Sequence, residues 1–309
     1  MQHTRTHPGT VRRWTPDAPL DLALTLGPLA HGPGDPAFRM SDDGSVWRAS
    51  RTPAGPGTLR ITSADGAIEA QAWGPGAEWL LDRLPSLLGA EDEPGAFVPR
   101  HRLVHEVHRR HPGLRLCRTG LVLESLIPAV LEQKVTADEA YRAWRLLLQR
   151  HGEPAPGPAS GMRVMPEPRT WALIPSWEWH RAGVDGKRAA TIVRAVRVAR
   201  RLEEAAGMED VLAAAARLQL IPGIGPWTAA ETLQRSNGAP DAITVGDLHL
   251  PNVVGYALTG ERRTDDAGML ELLQPYAGQR HRAARLILLA GRRPPRRAPR
   301  FAPNDIRVI

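Results

Sequence analysis

The sequence is poor in three things, and each shortage narrows what the protein can be. It has one cysteine, Cys117, in 309 residues. No disulfide can close within the chain, and neither a four-thiolate zinc site nor a cysteine-held iron–sulfur cluster can be assembled, so any metal must be held through oxygen or histidine. Only Lys134 and Lys187 among the 40 basic residues are lysine, which leaves arginine to carry nearly all the positive charge. No stretch approaches the roughly 20 apolar residues that a membrane helix requires. The early residues, with Arg12, Arg13 and several prolines, lack the apolar run of a secretion signal. The expectation is a cytoplasmic protein with no membrane partner.

Against these shortages stand a 42% hydrophobic composition and a length sufficient for two domains or one large one. Charge is unevenly spread. Residues 1–100 carry 9 Arg and no Lys against 12 acids, a net −3, so the remainder carries +10 of the total +7. A basic excess confined to one part favours a polyanionic partner, because Lys and Arg that neutralise phosphates release condensed counterions. An arginine-rich composition by itself has the same appearance.

The first hundred residues are rich in Gly and Pro, and apolar and polar positions alternate over 59–62 and 67–73, which predicts strands. A helix is predicted over 77–88 from the stripe Leu80, Leu81, Leu84, Leu87 and Leu88, with Pro85 as an interruption. Beyond Arg102 the pattern is helical: 121–134 is apolar on most faces, as in a central buried helix, and 139–151 and 187–204 follow. Residues 153–168 form a Pro- and Gly-rich connection, followed by Trp171, Trp177 and Trp179, either core or a stacking surface. The predicted fold is an α+β N-terminal domain with antiparallel strands (1–110), a mostly all-α domain (111–290) and a basic Pro/Arg-rich tail (291–309). In the helix over 187–204, Arg194, Arg197, Arg200 and Arg201 lie off the apolar face and suit either solvent or phosphates. His101, His105, His108 and His111 recur at helical spacing; their basic neighbours and Pro112 favour a solvated face over a metal site.

The most specific feature is LQLIPGIGPWTAAETLQRSNG, residues 218–238. One amphipathic helix ends near Leu220, and Pro226 suits the first turn of a second. Between them lies Pro222-Gly223-Ile224-Gly225, in which Gly223 and Gly225 permit positive φ and close backbone approach and, with the start of the next helix, offer free N–H groups to a phosphate. Twenty residues past the hairpin, ITVGDLHL (243–250) sets Asp247 between a Gly-containing loop and a further apolar helix. An acid there can be a helix N-cap or a catalytic carboxylate. His249 reads as a surface residue or a sugar or phosphate contact.

This hairpin and its spaced acid resemble those of the helix-hairpin-helix DNA glycosylases. ESLIPAVLEQKVTADEAYRAW (124–144) is similar to that superfamily's long buried helix, with Glu132-Gln133-Lys134 in place of its usual Gly-Gln-Gln. The likeness is greatest to the bacterial 3-methyladenine DNA glycosylase II enzymes. It is strong over 115–290, weaker over 40–115, and absent at both ends.

The resemblance implies a base-excision repair enzyme that flips a damaged, alkylated base from double-stranded DNA and hydrolyses its N-glycosidic bond, with Asp247 catalytic. It implies a pocket of Trp227, Glu231 and Gln133, and a phosphate-binding hairpin of Pro222, Gly223, Ile224, Gly225 and Thr228. It further implies a monomer acting on bacterial nucleoid DNA, with no required cofactor. A structural Na+ or K+ would be held by the carbonyls of Gln219, Ile221 and Ile224. Relatives that also cut the strand place a lysine where this chain has Trp227, which implies monofunctional hydrolysis to an abasic site. Two departures concern the pocket: Glu231 replaces a frequent aromatic, and the aliphatic run 286–289 replaces a tryptophan. Another concerns the apolar wedge, aligned with Asp185 or Gly186, neither of which can fill a vacated stack. These departures leave open a glycosylase for oxidised or deaminated bases, a non-catalytic lesion-binding protein, and a basic helical interaction protein.

Overall fold

The computed structural model describes residues 9–295; the expected basic tail therefore lies, from residue 296 on, outside the described residues. Strands β1 (Thr10–Trp14), β2 (Phe38–Met40), β3 (Val46–Thr52), β4 (Gly55–Ala64) and β5 (Ala67–Trp73) form one antiparallel sheet in the order β1-β5-β4-β3-β2, with the short helix α1 (Leu22–Leu26) between the first two. Asp65 and Gly66 join β4 to β5 with φ of 52° and 78°. That is the left-handed pair a two-residue hairpin needs to match the strand twist. Leu59, Ile61, Ile68, Ala70 and Ala72 form an apolar core with the leucines of α2 (Ala77–Asp82) and α3 (Leu84–Leu87).

The helix predicted over 77–88 is thus two helices. Pro85 has no N–H for a bond to Leu81, and its ring crowds that carbonyl. The Leu81 carbonyl is instead taken up by Arg12 from β1 at 2.8 Å. The break turns α3 so that Leu84 and Leu87 stay in the same core.

Helix α4 (Arg102–Arg110) buries Val104 and Val107 against the C-terminal helices α13 (Leu250–Thr259), α14 (Asp266–Leu273) and α15 (Arg280–Leu289), not against the sheet. Its histidines are partly engaged: His101 Nδ1 lies 2.8 Å from the Tyr276 hydroxyl, and His108 meets the Phe97 ring edge-on. Among the described residues no group of three His, Cys, Asp or Glu is placed to hold a metal ion, and no helix is long and apolar enough to cross a membrane.

Helix α5 (Val122–Leu131) is the axle of the helical part, with every residue but Glu124 buried. Glu203 caps its start by accepting the Val122 and Leu123 N–H groups at 2.8 and 2.9 Å. Burial still pushes the Glu203 carboxyl above its ordinary range. The helix stops three residues short of the predicted end. Lys134 takes a left-handed φ of 56°, and Thr136 then opens α6 (Ala137–His151) in a capping box with Glu139.

The Pro- and Gly-rich connection contains a two-stranded hairpin, β6 (Glu153–Pro154) with β7 (Arg163–Val164), whose Arg163 N–H bonds the Pro36 carbonyl. After it come α7 (Pro168–Leu173) and α8 (Ser176–Arg181). Trp171 and Trp179 stack on each other inside the central core, so two of the three clustered tryptophans are packing residues; Trp177 is exposed. The helix predicted over 187–204 breaks at Val198 into α9 (Gly186–Arg197) and α10 (Ala199–Glu203). Neither Pro nor Gly marks that break. Helices α11 (Val211–Gln219) and α12 (Pro226–Ser236) complete the helical part.

One polar contact ties the sheet to α5. Glu124 accepts from Arg48, from the Ser50 hydroxyl at 3.0 Å and from the Arg51 N–H at 3.3 Å. Both charged side chains are nearly buried, at 12% and 7% exposure for Glu124 and Arg48. Removing one partner of a buried pair strands the other charge. Glu124→Ala is therefore expected to cost about 3–5 kcal/mol in urea unfolding, and Arg48→Met combined with Glu124→Leu much less.

Candidate active site

The site begins where α11 gives way to α12. The Ile224 N–H closes a turn onto the Ile221 carbonyl at 3.0 Å, with Pro222 and Gly223 at its centre. Gly223 has φ +101°, the value that the second central position of a type II turn demands. It also packs against α9: a Cβ here would sit 2.1 Å from Thr191 Oγ1. Gly225 behaves differently from the expectation of two left-handed glycines. It is extended (φ −97°, ψ −177°) because it precedes Pro226, and a Cβ on it would meet nothing within 4 Å.

The carbonyl side of the turn is tied down. Gln133 Nε2 donates to the Gly223 carbonyl at 3.0 Å and to Thr228 Oγ1 at 2.8 Å, and Arg194 Nη1 donates to the Pro222 carbonyl at 3.0 Å. Gln133, expected in the pocket, is thus a brace for the hairpin. Thr228, expected among the phosphate contacts, is buried with its hydroxyl taken by Gln133. Ile224 is a core residue. The N–H side remains open: Pro222 and Gly223 are exposed, and neither glycine N–H has a partner among the described residues. With the first turn of α12 behind them, these N–H groups form a site of partial positive charge facing solvent. Arg194, Arg197, Arg200 and Arg201 are all exposed, and Arg194 joins that face directly to the turn.

Asp247 comes to the same place from the loop before α13. Gly246 (φ 85°) turns the chain, anchored by its N–H on Asp266 Oδ2 at 2.9 Å. Asp247 Oδ1 accepts the His249 and Leu250 N–H groups at 2.7 Å each, which ties it to the start of α13, although the N-cap position itself is His249. Its Oδ2 points the other way and accepts from Trp227 Nε1 at 3.1 Å. One oxygen serves the start of the helix and the other meets Trp227. His249 is exposed and contributes its backbone N–H to this contact.

One turn beyond Trp227 on α12, Glu231 pairs with Arg235 at 2.7 Å. Burial pushes the Glu231 carboxyl up and Arg235 pulls it down, while Glu132 and Asp247 push it further up; the net shift is upward. Arg235 also reaches the Pro28 carbonyl at 2.9 Å, and His31 Nδ1 lies 3.7 Å from Glu132 Oε1. Burial raises the Glu132 carboxyl too, but His31 and Arg235 outweigh it and the net shift is downward. His31 and Arg235 were not singled out in the sequence. The i,i+4 spacing of Glu231 and Arg235 could have signalled the second; nothing local signals the first.

Asp185 is the N-cap of α9 and is paired with Arg188, which accounts for it structurally. Leu286 and Ile287 are buried in the C-terminal core, whereas Leu288 and Leu289 face outward. Two cavities, one holding about a single water and one of about 370 Å³ beside Gly32, Arg39 and Gln149, lie away from Asp247. Asp247 lines neither of them and lies half-buried between the hairpin and the start of α13.

No protein-family model matches the sequence, and no curated protein is similar to it. Solved structures are. A 3-methyladenine DNA glycosylase from Archaeoglobus fulgidus superposes with a TM-score of 0.73 at 17% identity, over 91% of this chain and 98% of that one. An 8-oxoguanine glycosylase/lyase from Clostridium acetobutylicum gives 0.71 at 10% identity, over 91% and 98%. The protein MBOgg1, solved with a low-affinity DNA ligand, gives 0.73 at 15% identity, over 94% and 98%. Over more than nine-tenths of its length, as those coverages of 91–94% give it, the chain has the fold of the helix-hairpin-helix DNA glycosylases.

The two hairpin glycines separate folding from approach. Gly223→Ala forces a side chain into a left-handed backbone against Thr191, at a cost of about 1–3 kcal/mol for the backbone alone. Gly225→Ala meets neither obstacle. Thermal unfolding should show a lowered midpoint for the first and an unchanged one for the second.

Proposed function

We propose that the protein is a monofunctional DNA glycosylase that takes a damaged, alkylated base out of duplex DNA and hydrolyses its N-glycosidic bond. The observation that carries this reading is the convergence of an exposed phosphate-type hairpin and a carboxylate, Asp247, joined through Trp227. The hairpin N–H groups and the adjoining arginine face bind the backbone next to the lesion without reading bases. The target nucleotide is extruded, at least expense where it is damaged or badly paired. As the base departs with the bonding electrons, the sugar becomes oxocarbenium-like; the Asp247 carboxylate stabilises that charge and orients the water that adds to the anomeric carbon. The products are the free base and an abasic site.

Strand cleavage is not part of this reading. It requires an amine beside the sugar, and Trp227 holds the place next to Asp247. Leu220 and Leu248, at 79% and 78% exposure, are the apolar side chains flanking hairpin and acid that can enter the opened stack. The carbonyls of Gln219 and Ile224 accept no hydrogen bond among the described residues and Ile221 accepts one, a set of neutral oxygens that suits a monovalent cation. Such an ion would add positive charge behind the phosphate.

Glu231 favours a second reading. A carboxyl held by Arg235 beside Asp247 can accept hydrogen bonds from a base edge, which suits an oxidised or deaminated base. A panel of duplexes, each with one alkylated, oxidised or deaminated base, is incubated with the wild type, Asp247→Asn and Glu231→Gln, then treated with alkali. Release of an alkylated base, slowed about 10²–10³-fold by Asp247→Asn and with no strand break before alkali, is the expected result. Loss of an oxidised or deaminated substrate on Glu231→Gln would favour the second reading. No release from any duplex rejects the enzyme.

A further inference from the structure

Asp247 is held by three N–H donors from two separate elements. The His249 and Leu250 backbone groups fix Oδ1 at the start of α13. A carboxylate anchored by one oxygen can still swing the other about that anchor. Oδ2 is stopped by the indole N–H of Trp227, 3.1 Å away, and Trp227 belongs to α12, directly behind Pro226 and the hairpin. The indole nitrogen is a donor only. Its partner here is an anion, which makes the bond one of the stronger kind.

We infer that Trp227 is a positioning residue, whose N–H sets the direction in which Oδ2 of Asp247 faces the sugar. The inference rests on the glycosylase reading of Asp247 and deepens it. Oδ1 is occupied at the start of α13, so Oδ2 is the oxygen left to meet the developing positive charge. Its orientation is then dictated by the same helix start that binds phosphate. Hairpin and acid are coupled through one side chain, and a shift of the hairpin carries the acid with it.

The test separates the N–H from the ring. Trp227 is replaced by benzothienylalanine, which keeps the bicyclic face but has sulfur in place of N–H, and by 7-azatryptophan, which keeps the donor. Single-turnover base release and affinity for the lesion duplex are measured in both the wild-type and Asp247→Asn backgrounds. The sulfur analogue should lose about 10- to 100-fold in rate with unchanged affinity. The donor-bearing analogue should restore the rate, and neither should matter further once Asp247 is Asn. Equal rates for both analogues, or a parallel loss of rate and affinity, overturns the proposal in favour of packing.

A second readout needs no activity. The indole ¹H–¹⁵N resonance of Trp227, assigned by its disappearance in Trp227→Phe, should move on Asp247→Ala, while those of Trp47 and Trp73 stay in place. A Trp227 resonance that does not move overturns the proposal. A resonance that moves in a protein releasing no base supports the contact and rejects the enzymatic reading instead.

Discussion

The packing of Gly223 on Thr191, with Gln133 clasping the turn from just beyond α5, is the constraint on which the hairpin's placement depends. It allows the backbone of the α11–α12 turn to touch α9 where any side chain would collide. Gln133 and Arg194 take the Gly223 and Pro222 carbonyls, and the Gly223 and Gly225 N–H groups are left without a partner among the described residues. The same contact fixes where α12 begins, and hence where Trp227 and Glu231 project. Asp247 arrives from a loop that has its own anchor on Asp266, so its meeting with Trp227 joins two independently built pieces.

Electrostatics in the interior are arranged around pairs whose members come from distant parts of the chain. Glu124 belongs to α5 and Arg48 to the sheet. Arg235 on α12 holds Glu231 and reaches the N-terminal segment at Pro28, and His31 from that segment approaches Glu132. Buried charges of this kind are costly when stranded and contribute little net stability when paired, so their effect is to specify one relative placement of sheet and helices. The segment at Pro28 and His31 is thereby held against α12 and the end of α5. The Asp247 charge adds a small upward push to the Glu231 carboxyl, which burial already raises.

The aromatic side chains divide along similar lines. Trp171 and Trp179 fill the core, and Trp47 stacks on Trp73 at the sheet surface with a ring separation of 5.6 Å. Two indole N–H groups meet carboxylates: that of Trp144, in the core, donates to Asp35 at 2.8 Å, and that of the half-buried Trp227 donates to Asp247. A buried tryptophan's ring packs while its N–H still needs a partner.

Much was legible in the sequence because it is written locally. The alternation in β5, the leucine stripe over 80–88, the Pro-Gly-Ile-Gly turn and the acid ahead of an apolar helix each follow from the period, φ preference or capping chemistry of adjacent residues. Those features pointed to a strand-bearing N-terminal part, a helical remainder and a hairpin with a spaced carboxylate. Tertiary structure decided the rest. It joined Gln133 to Thr228 and to the turn, made Gly223 left-handed and Gly225 extended, and turned the indole edge of Trp227 toward Asp247. It also brought His31 beside Glu132 across a hundred residues. The physical reason is common to all of them. A hydrogen bond is met by whichever group the fold brings within about 3 Å, and local periodicity carries no information about which distant group that will be.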